Sequence, residues 1–261
     1  MDSLSDDALI EIFLRINDLK TFSNCALVNR RWVQMLAPTS SFWVSKCKRD
    51  GRVVPIRLIG ARSVRTGKDV DYRLIWRKNP YGRNLIKNDS GQERFTHWRV
   101  FPSSWNTSIQ LPNGATMHPI EKPPGIRAHG LECCFATSFY KAIKIQRIDL
   151  VAEGVEDWIM DELKPNILVS EWYAGRRDCG AEYELRVDLL NSNKRTVSDP
   201  FREKCVLSVA EGGQWRETNY TFRNYRRGVR LVEFISSGKD TSGWRGFFGA
   251  KMAKASVKLQ L

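Results

Sequence analysis

Tyr183-Glu184-Leu185-Arg186-Val187-Asp188-Leu189 alternates apolar and polar residues without a break. A strand turns successive side chains to opposite faces, so this stretch predicts a half-buried strand with Tyr183, Leu185, Val187 and Leu189 facing inward. Val257-Lys258-Leu259-Gln260-Leu261 repeats the pattern at the end of the chain. Between and before them, Ile167-Leu168-Val169 running to Trp172-Tyr173, Cys205–Val209, Tyr220-Thr221-Phe222 and Val229–Phe234 read as further strands. His97–Phe101 is strand-like and stops at Pro102. In Ile143–Leu150 the apolar residues fall at 143, 145, 148 and 150, a strand whose alternation slips once. Seven or eight strands over roughly 180 residues predict an antiparallel sandwich. Val155–Leu163 is a helix-like insert, and residues 102–130, rich in Pro and Gly, predict a long loop.

Upstream the period changes. Ser5 can cap a helix, with Asp6 and Asp7 at its positive end, and Leu9, Ile12, Phe13 and Ile16 recur at helical spacing. Asp18 restarts the pattern with Leu19, Phe22, Ala26 and Leu27, and Asn29 precedes Arg30-Arg31-Trp32-Val33. Ser41-Phe42-Trp43 opens one more turn reaching Cys47. About forty residues make a poor independent core, so these helices are expected to bury apolar positions on a partner. Residues 48–80 are basic, with large apolar residues and little Gly-Ser character, and read as an ordered linker. Within it, Val53–Ile56 can be extended, and Val70–Trp76 can be a short helix or a strand.

The 261 residues carry a formal net charge of +13, unevenly spread. Asp2, Asp6, Asp7, Glu11 and Asp18 face only Arg15 at the start, whereas residues 46–99 hold fifteen Lys or Arg against five Asp or Glu. Basic residues beside Trp and Tyr can touch nucleic acid, but no RNA-binding signature is present, and spread charge is ordinarily solubilising. The six cysteines, including the adjacent Cys133 and Cys134, form no Cys-x-x-Cys pair, and His97, His118 and His129 do not sit at ligand spacing near them. No metal is expected, and the cysteines read as reduced. The acidic opening is unlike a signal peptide, and no run reaches the ~18 apolar residues of a membrane span, so a cytoplasmic chain without membrane insertion is expected. Nucleophile motifs are absent. Glu153, Glu156, Asp157, Asp161 and Glu162 read as a solvated helix face in preference to a catalytic pair.

Gly238-Lys239-Asp240-Thr241-Ser242-Gly243-Trp244-Arg245-Gly246-Phe247-Phe248-Gly249-Ala250 has two readings. It can be a turn whose aromatics return to the core. It can also be a loop presenting a flat ring beside hydrogen-bond donors, which suits a sugar.

Three blocks resemble an F-box: Leu4–Phe13, Leu27-Val28-Asn29-Arg30-Arg31-Trp32 and Phe42-Trp43, with Leu4-Ser5 where that family usually has Leu-Pro. The resemblance implies that residues 4–47 bind the Skp adaptor of a cullin-RING ubiquitin ligase, with Leu4, Leu9, Ile12, Phe13, Leu19, Phe22, Val28 and Trp32 as adaptor contacts. Further blocks, Arg77–Leu85, Phe135–Phe139, Ile148–Gly154, Glu171–Gly180, Tyr183–Leu185 and Gly243–Ala250, are similar in order and spacing to the F-box-associated domain of the sugar-recognising F-box proteins. That resemblance implies a ten-stranded antiparallel β-sandwich of galactose-binding-like jelly-roll type with short helices. It also implies loops at one end that bind the chitobiose core of N-glycans on misfolded glycoproteins bound for ER-associated degradation. Phe139, Asp178 and Trp244 match its pocket. Gly243 stands where the family has Tyr, and Arg245 where a well-known glycan binder has Lys.

The expected organisation is an F-box over 1–48, a basic ordered linker over 49–77 and an F-box-associated domain over 78–261. The expected function is a non-catalytic substrate receptor of a Skp–cullin–F-box ligase, without cofactor. Its partners are the Skp adaptor with cullin and RING subunits, and glycoprotein clients bound through Phe139, Asp178, Gly243, Trp244 and Arg245. The alternatives are a ligase receptor for protein surfaces and a cytosolic nucleic-acid-binding β-sandwich.

Overall fold

Each of the first three helices begins where a short polar side chain satisfies a free backbone N–H. Ser5 accepts from Ala8 N at 3.2 Å, starting α1 (Asp6–Leu14), and Asp18 from Thr21 N at 2.7 Å, starting α2 (Leu19–Cys25). Asn29 accepts from Trp32 N at 3.0 Å, starting α3 (Arg30–Met35). Then come α4 (Phe42–Arg49) and α5 (Tyr72–Lys78), the latter capped by Asp71 through Leu74 N at 2.7 Å. Of the stretch 70–76, Tyr72–Trp76 thus resolves to helix, behind its cap at Asp71.

The computed structural model describes residues 4–102, 118–121, 132–243 and 246–261, with backbone alone at 102 and 118–121. The chain divides into two compact units. One is Met1–Arg83 with Val151–Pro165 and Leu259–Leu261; the other is Asn84–Leu150 with Asn166–Lys258.

The helical unit is organised by rings. Trp32 packs on Phe13 (centroids 5.0 Å), Phe13 on Phe42 (6.2 Å) and Phe42 on Phe22 (5.9 Å). Phe22 packs on Trp43 (4.8 Å), and Trp43 on Trp76 (5.2 Å). Trp76 lies on α5, so the stretch read as a linker supplies part of the core that forty residues alone lack. Lys46 is buried here and donates to Leu14 O (2.9 Å), Asn17 Oδ1 (3.0 Å) and Asp50 Oδ1 (2.9 Å). Burial opposes the charge on Asp50, but hydrogen bonds from Trp76 and Lys46 hold its carboxyl below the usual range.

The acidic insert is not simply a solvated face. Glu156 accepts Asp71 N at 3.0 Å, Glu162 accepts Ser63 Oγ and Val64 N at 2.8 Å each, and Glu153 pairs with Arg83. These carboxylates fasten the basic stretch; the helix beside them is a short π-type turn, Ile159–Leu163.

The second unit carries the sheets. Ten strands are seen among the described residues: β1 (Arg99–Pro102), β2 (His118–Glu121), β3 (Cys133–Ala136), β4 (Ala142–Asp149), β5 (Asn166–Ala174), β6 (Ala181–Leu190), β7 (Phe201–Leu207), β8 (Arg216–Phe222), β9 (Leu231–Asp240) and β10 (Lys251–Gln260). They form two five-stranded sheets, ordered β1-β4-β9-β6-β7 and β2-β3-β10-β5-β8. The strand pairings described in the two sheets are antiparallel, with Tyr183 opposite Gly238, Ile148 opposite Val232 and Val169 opposite Tyr220. The strand predicted from Tyr183–Leu189 lies at the heart of the first sheet, with Tyr183, Leu185, Val187 and Leu189 buried.

Three strands depart from their sequence reading; β7 starts at Phe201 and ends at Leu207, with Val209 opening a 3₁₀ turn where Cys205–Val209 had read as strand. β4 does not slip: Ala142, Lys144, Gln146 and Ile148 face inward in unbroken alternation, and Ile143 and Ile145 face outward. Lys144 tolerates the interior because Glu171, fully buried on β5 of the other sheet, receives it at 2.5 Å. Tyr183 (2.9 Å) and Ser236 (2.6 Å) also donate to Glu171, and Trp98 lies 3.8 Å from the Lys144 ammonium, measured to the ring centroid. This network joins the facing sheets into a sandwich. β9 continues past Phe234 to Asp240, so Gly238-Lys239-Asp240 are strand, and Gly238 has no room for a side chain against Ala250, Met252 and the Glu182 carbonyl. The long loop expected at 102–130 lies mostly outside the described residues, apart from the end of β1 and from β2.

Candidate functional site

The antiparallel registers bring several turns to one end of the sandwich. β6 begins and β9 ends side by side, Ala181 opposite Asp240, while Lys251 at the start of β10 lies opposite Ala136 at the end of β3. Backbone hydrogen bonds then tie the turns together. Asp240 N donates to Ser138 O (2.9 Å), Gly249 N to Thr137 O (2.9 Å) and Thr241 N to Gly180 O (3.0 Å). The β3–β4, β5–β6 and β9–β10 connections therefore share one surface. Phe139, Asp178 and Gly243 lie one on each.

Phe139 is half-buried and stacks obliquely on the exposed Tyr140, centroids 4.2 Å apart. Asp178 sits in the tight turn bridged by Arg176 and Cys179, its Oδ1 paired with Arg176 Nε at 2.6 Å. The same guanidinium lies 4.0 Å from the Phe248 ring centroid, which orients both the arginine and its carboxylate. Gly243 has φ +72° and open space where a Cβ would stand. Trp244 and Arg245, the other two expected ligand residues, lie outside the described residues.

Beneath these loops the polar groups are incompletely matched. Asp240 is buried; its Oδ1 accepts Ser242 N (2.9 Å) and Gly243 N (2.5 Å), shaping the start of the loop, while Oδ2 has no partner among the described residues. Ser138 Oγ is likewise buried with no partner among the described residues. Buried Lys251 donates to Phe247 O (2.9 Å) and Gly249 O (2.6 Å), pinning the returning arm of the loop. Burial brings its amine down to about 8, with Arg176 adding to the effect and Cys134, Cys179 and Asp178 opposing it. Tyr140, Ser138, Asp240 and Lys251 were missed as site residues from sequence. Only Tyr140 carried a signal, as the second aromatic of a Phe-Tyr pair.

The proposed adaptor contacts divide in the structure. Leu9, Phe13 and Phe22 are buried in the helical unit, Trp32 is half-buried against Phe13, and Leu4, Ile12, Leu19 and Val28 are exposed. Leu27 (83% exposed) and Val33 extend the exposed set. No group of three or more metal-ligating side chains occurs among the described residues. No helix among them is long and apolar enough to cross a membrane.

Residues 76–259 match the family described as F-box associated region. The chain belongs to that family. F-box only protein 2 of Bos taurus is 31% identical over 98% of this chain and 83% of its own length. F-box only protein 6 of Homo sapiens is 28% identical over 98% and 83%, and human F-box only protein 17 is 29% identical over 100% and 93%. Among solved structures, a carbohydrate-binding module in complex with beta-1,4-galactotriose aligns at TM-score 0.43 and 14% identity, covering 69% of this chain and 100% of that one. A likeness that weak adds nothing to the F-box-associated assignment, which rests on the sequence match across nearly the whole domain.

Proposed function

We propose that this F-box-associated protein is a substrate receptor of a Skp–cullin–F-box ubiquitin ligase, and that its sandwich loops hold the chitobiose core of N-glycans on misfolded glycoproteins. The helical unit docks on the Skp adaptor through Leu4, Ile12, Leu19 and Val28, while Leu9, Phe13, Phe22 and Trp32 hold those residues in register. No bond is made or broken by the chain. It raises the concentration of client beside the ubiquitin-loaded enzyme, in the cytoplasm and as part of ER-associated degradation.

The observation that carries the glycan reading is the meeting of Phe139, Asp178 and Gly243 on three connections at one end of the sandwich. Phe139 with Tyr140 offers an apolar face for a sugar ring, and the Asp178 carboxylate accepts from hydroxyl or acetamide groups. Trp244 would stack on the ring and Arg245 would donate to it. Chitobiose titration of the purified chain tests this. Wild type should bind, and Trp244→Ala should weaken binding by about 2 kcal/mol, roughly thirtyfold. Folded protein that ignores chitobiose and a glycan array would end the glycan reading.

The absence of a side chain at Gly243, with open space around it, favours one second reading: the same loops receive a protein surface. Adaptor binding is tested apart from the ligand. Ile12→Asp should abolish co-purification with the adaptor while leaving the fold intact, since Ile12 is exposed; unchanged co-purification would overturn the docking assignment.

A further inference from the structure

We propose that the basic stretch between α4 and α5 is a peripheral docking site for an anionic lipid bilayer. Neither the adaptor face nor the loop end of the sandwich uses it. Ile56 (84% exposed) and Val64 (94% exposed) are the two most exposed large apolar side chains among the described residues, and Ile59, between them in sequence, is exposed too. Ile56 opens the 3₁₀ turn Ile56–Leu58, and Ile59 N closes on Ile56 O at 3.0 Å. Residues three apart eclipse in a 3₁₀ turn, so Ile56 and Ile59 share a face. Val64 follows five residues on, within about 18 Å of Ile59 even at full extension.

The knobs are held firmly. Tyr72 Oη donates to Leu58 O (2.9 Å) and accepts Gly60 N (2.7 Å), fixing the end of the first turn. Ser63 N donates to Lys68 O (2.8 Å) and Gly67 N to Ser63 O (2.9 Å), closing the second, and the Glu162 carboxylate clamps its tip through Ser63 Oγ and Val64 N. Aliphatic tips on a backbone this well bonded remain exposed in the folded chain.

Charge selects the occupant. Arg57, Arg62, Arg65 and Lys68 are interleaved with the three aliphatic residues along the stretch and are exposed. Only Arg62 has an ion-pair partner among the described residues, Asp69 at 3.6 Å. Aliphatic side chains entering the acyl boundary, ringed by cations at the level of lipid phosphates, are the chemistry of an interfacial anchor. An acidic protein patch would use the cations and leave the isoleucines and valine in water.

Flotation of the full chain, alone and bound to its adaptor, with vesicles of phosphatidylcholine or of phosphatidylcholine plus phosphatidylserine, tests the proposal. Both forms should float with the phosphatidylserine vesicles and not with phosphatidylcholine alone. Ile56→Ser with Val64→Ser should lower partition about tenfold, and Arg57→Gln or Arg65→Gln about fivefold each. These are exposed sites, and retained adaptor binding reports that each variant is folded. Three results would overturn the proposal: no flotation of wild type, flotation lost when the adaptor is bound, or partition that follows the arginines but not the aliphatic residues. The last would point to an acidic protein partner.

Discussion

The middle of the sandwich and its loop end both bury a lysine, and they treat it oppositely. At the centre, Lys144 has a carboxylate partner in Glu171, an aromatic face in Trp98, and Tyr183 and Ser236 completing the acceptor's hydrogen bonds. At the end, no carboxylate among the described residues bonds to Lys251, which relies on two carbonyl oxygens, and in the same end of the sandwich Asp240 Oδ2 and Ser138 Oγ find no partner among those residues. Buried polar groups are nearly always satisfied in native proteins. A domain that satisfies them at its centre and leaves them unmatched under one set of loops keeps its rigidity and its polar recognition capacity in different places.

The strongest way to break this contrast is at the centre. Burial already lowers the Lys144 amine against the opposing pull of Glu171. Glu171→Ala would leave that cation alone among Trp98, Phe135 and Phe234 and strip acceptors from Tyr183 and Ser236. The expected loss is about 3–5 kcal/mol of unfolding free energy in urea, because the charge is left uncompensated. Lys144→Met combined with Glu171→Leu should recover much of it; a double variant as unstable as Glu171→Ala would show that packing, not charge, is what the site supplies.

Lys251 gives the next largest effect, and its sign is opposite to that of a salt-bridged group. Its folded amine titrates near 8, below the ordinary 10.5. Between those values the unfolded chain binds the extra proton, so stability should rise as pH climbs from about 8 to 10.5, by up to about 3 kcal/mol. The Cys134 thiol beside it, pushed by burial to about 12, stays protonated throughout that window. Comparing Lys251→Met with wild type isolates the slope: the variant should lack it, and parallel pH profiles would mean that the amine is solvated in both states.

The same contrast explains what could be read from sequence. Tyr183–Leu189 and Val257–Leu261 announced themselves because one face of each strand is apolar. β4 concealed its register because its inward row contains Lys144 and Gln146, which an apolar pattern cannot place without knowing that Glu171 waits on the opposite sheet. The extension of β9 to Asp240 was hidden for a related reason: Ser236, Ser237 and Gly238 pack without large apolar side chains. The role of Trp76 in the helical core, and of Glu156 and Glu162 in fastening the basic stretch, depends on contacts between segments far apart in sequence. At the loop end, the motif blocks single out Phe139, Asp178 and Gly243, and what the structure adds is that their three connections share a surface. That Asp240 Oδ2 and Ser138 Oγ find no partner among the described residues is a property of three dimensions alone.

The finest test lies at Gly243, where the family resemblance leads one to expect an aromatic. No described atom beyond its chain neighbours lies within 4 Å of a Cβ built at Gly243, so the first carbon of Gly243→Tyr finds room. The backbone sets the cost: at φ +72° an L-residue is strained by roughly 1–2 kcal/mol, and Asp240 holds that conformation by accepting Gly243 N. Thermal unfolding should register the loss while chitobiose affinity rises up to about tenfold, the worth of one aromatic contact. Coupling Gly243→Tyr to Asp240→Asn sharpens this, because a carboxamide that flips its acceptor away releases the turn and lets the tyrosine relax. If the tyrosine costs stability and gains no affinity, the loop end was shaped around glycine for another ligand, and its unmatched carboxylate and hydroxyl would be better assigned to a protein surface than to a sugar.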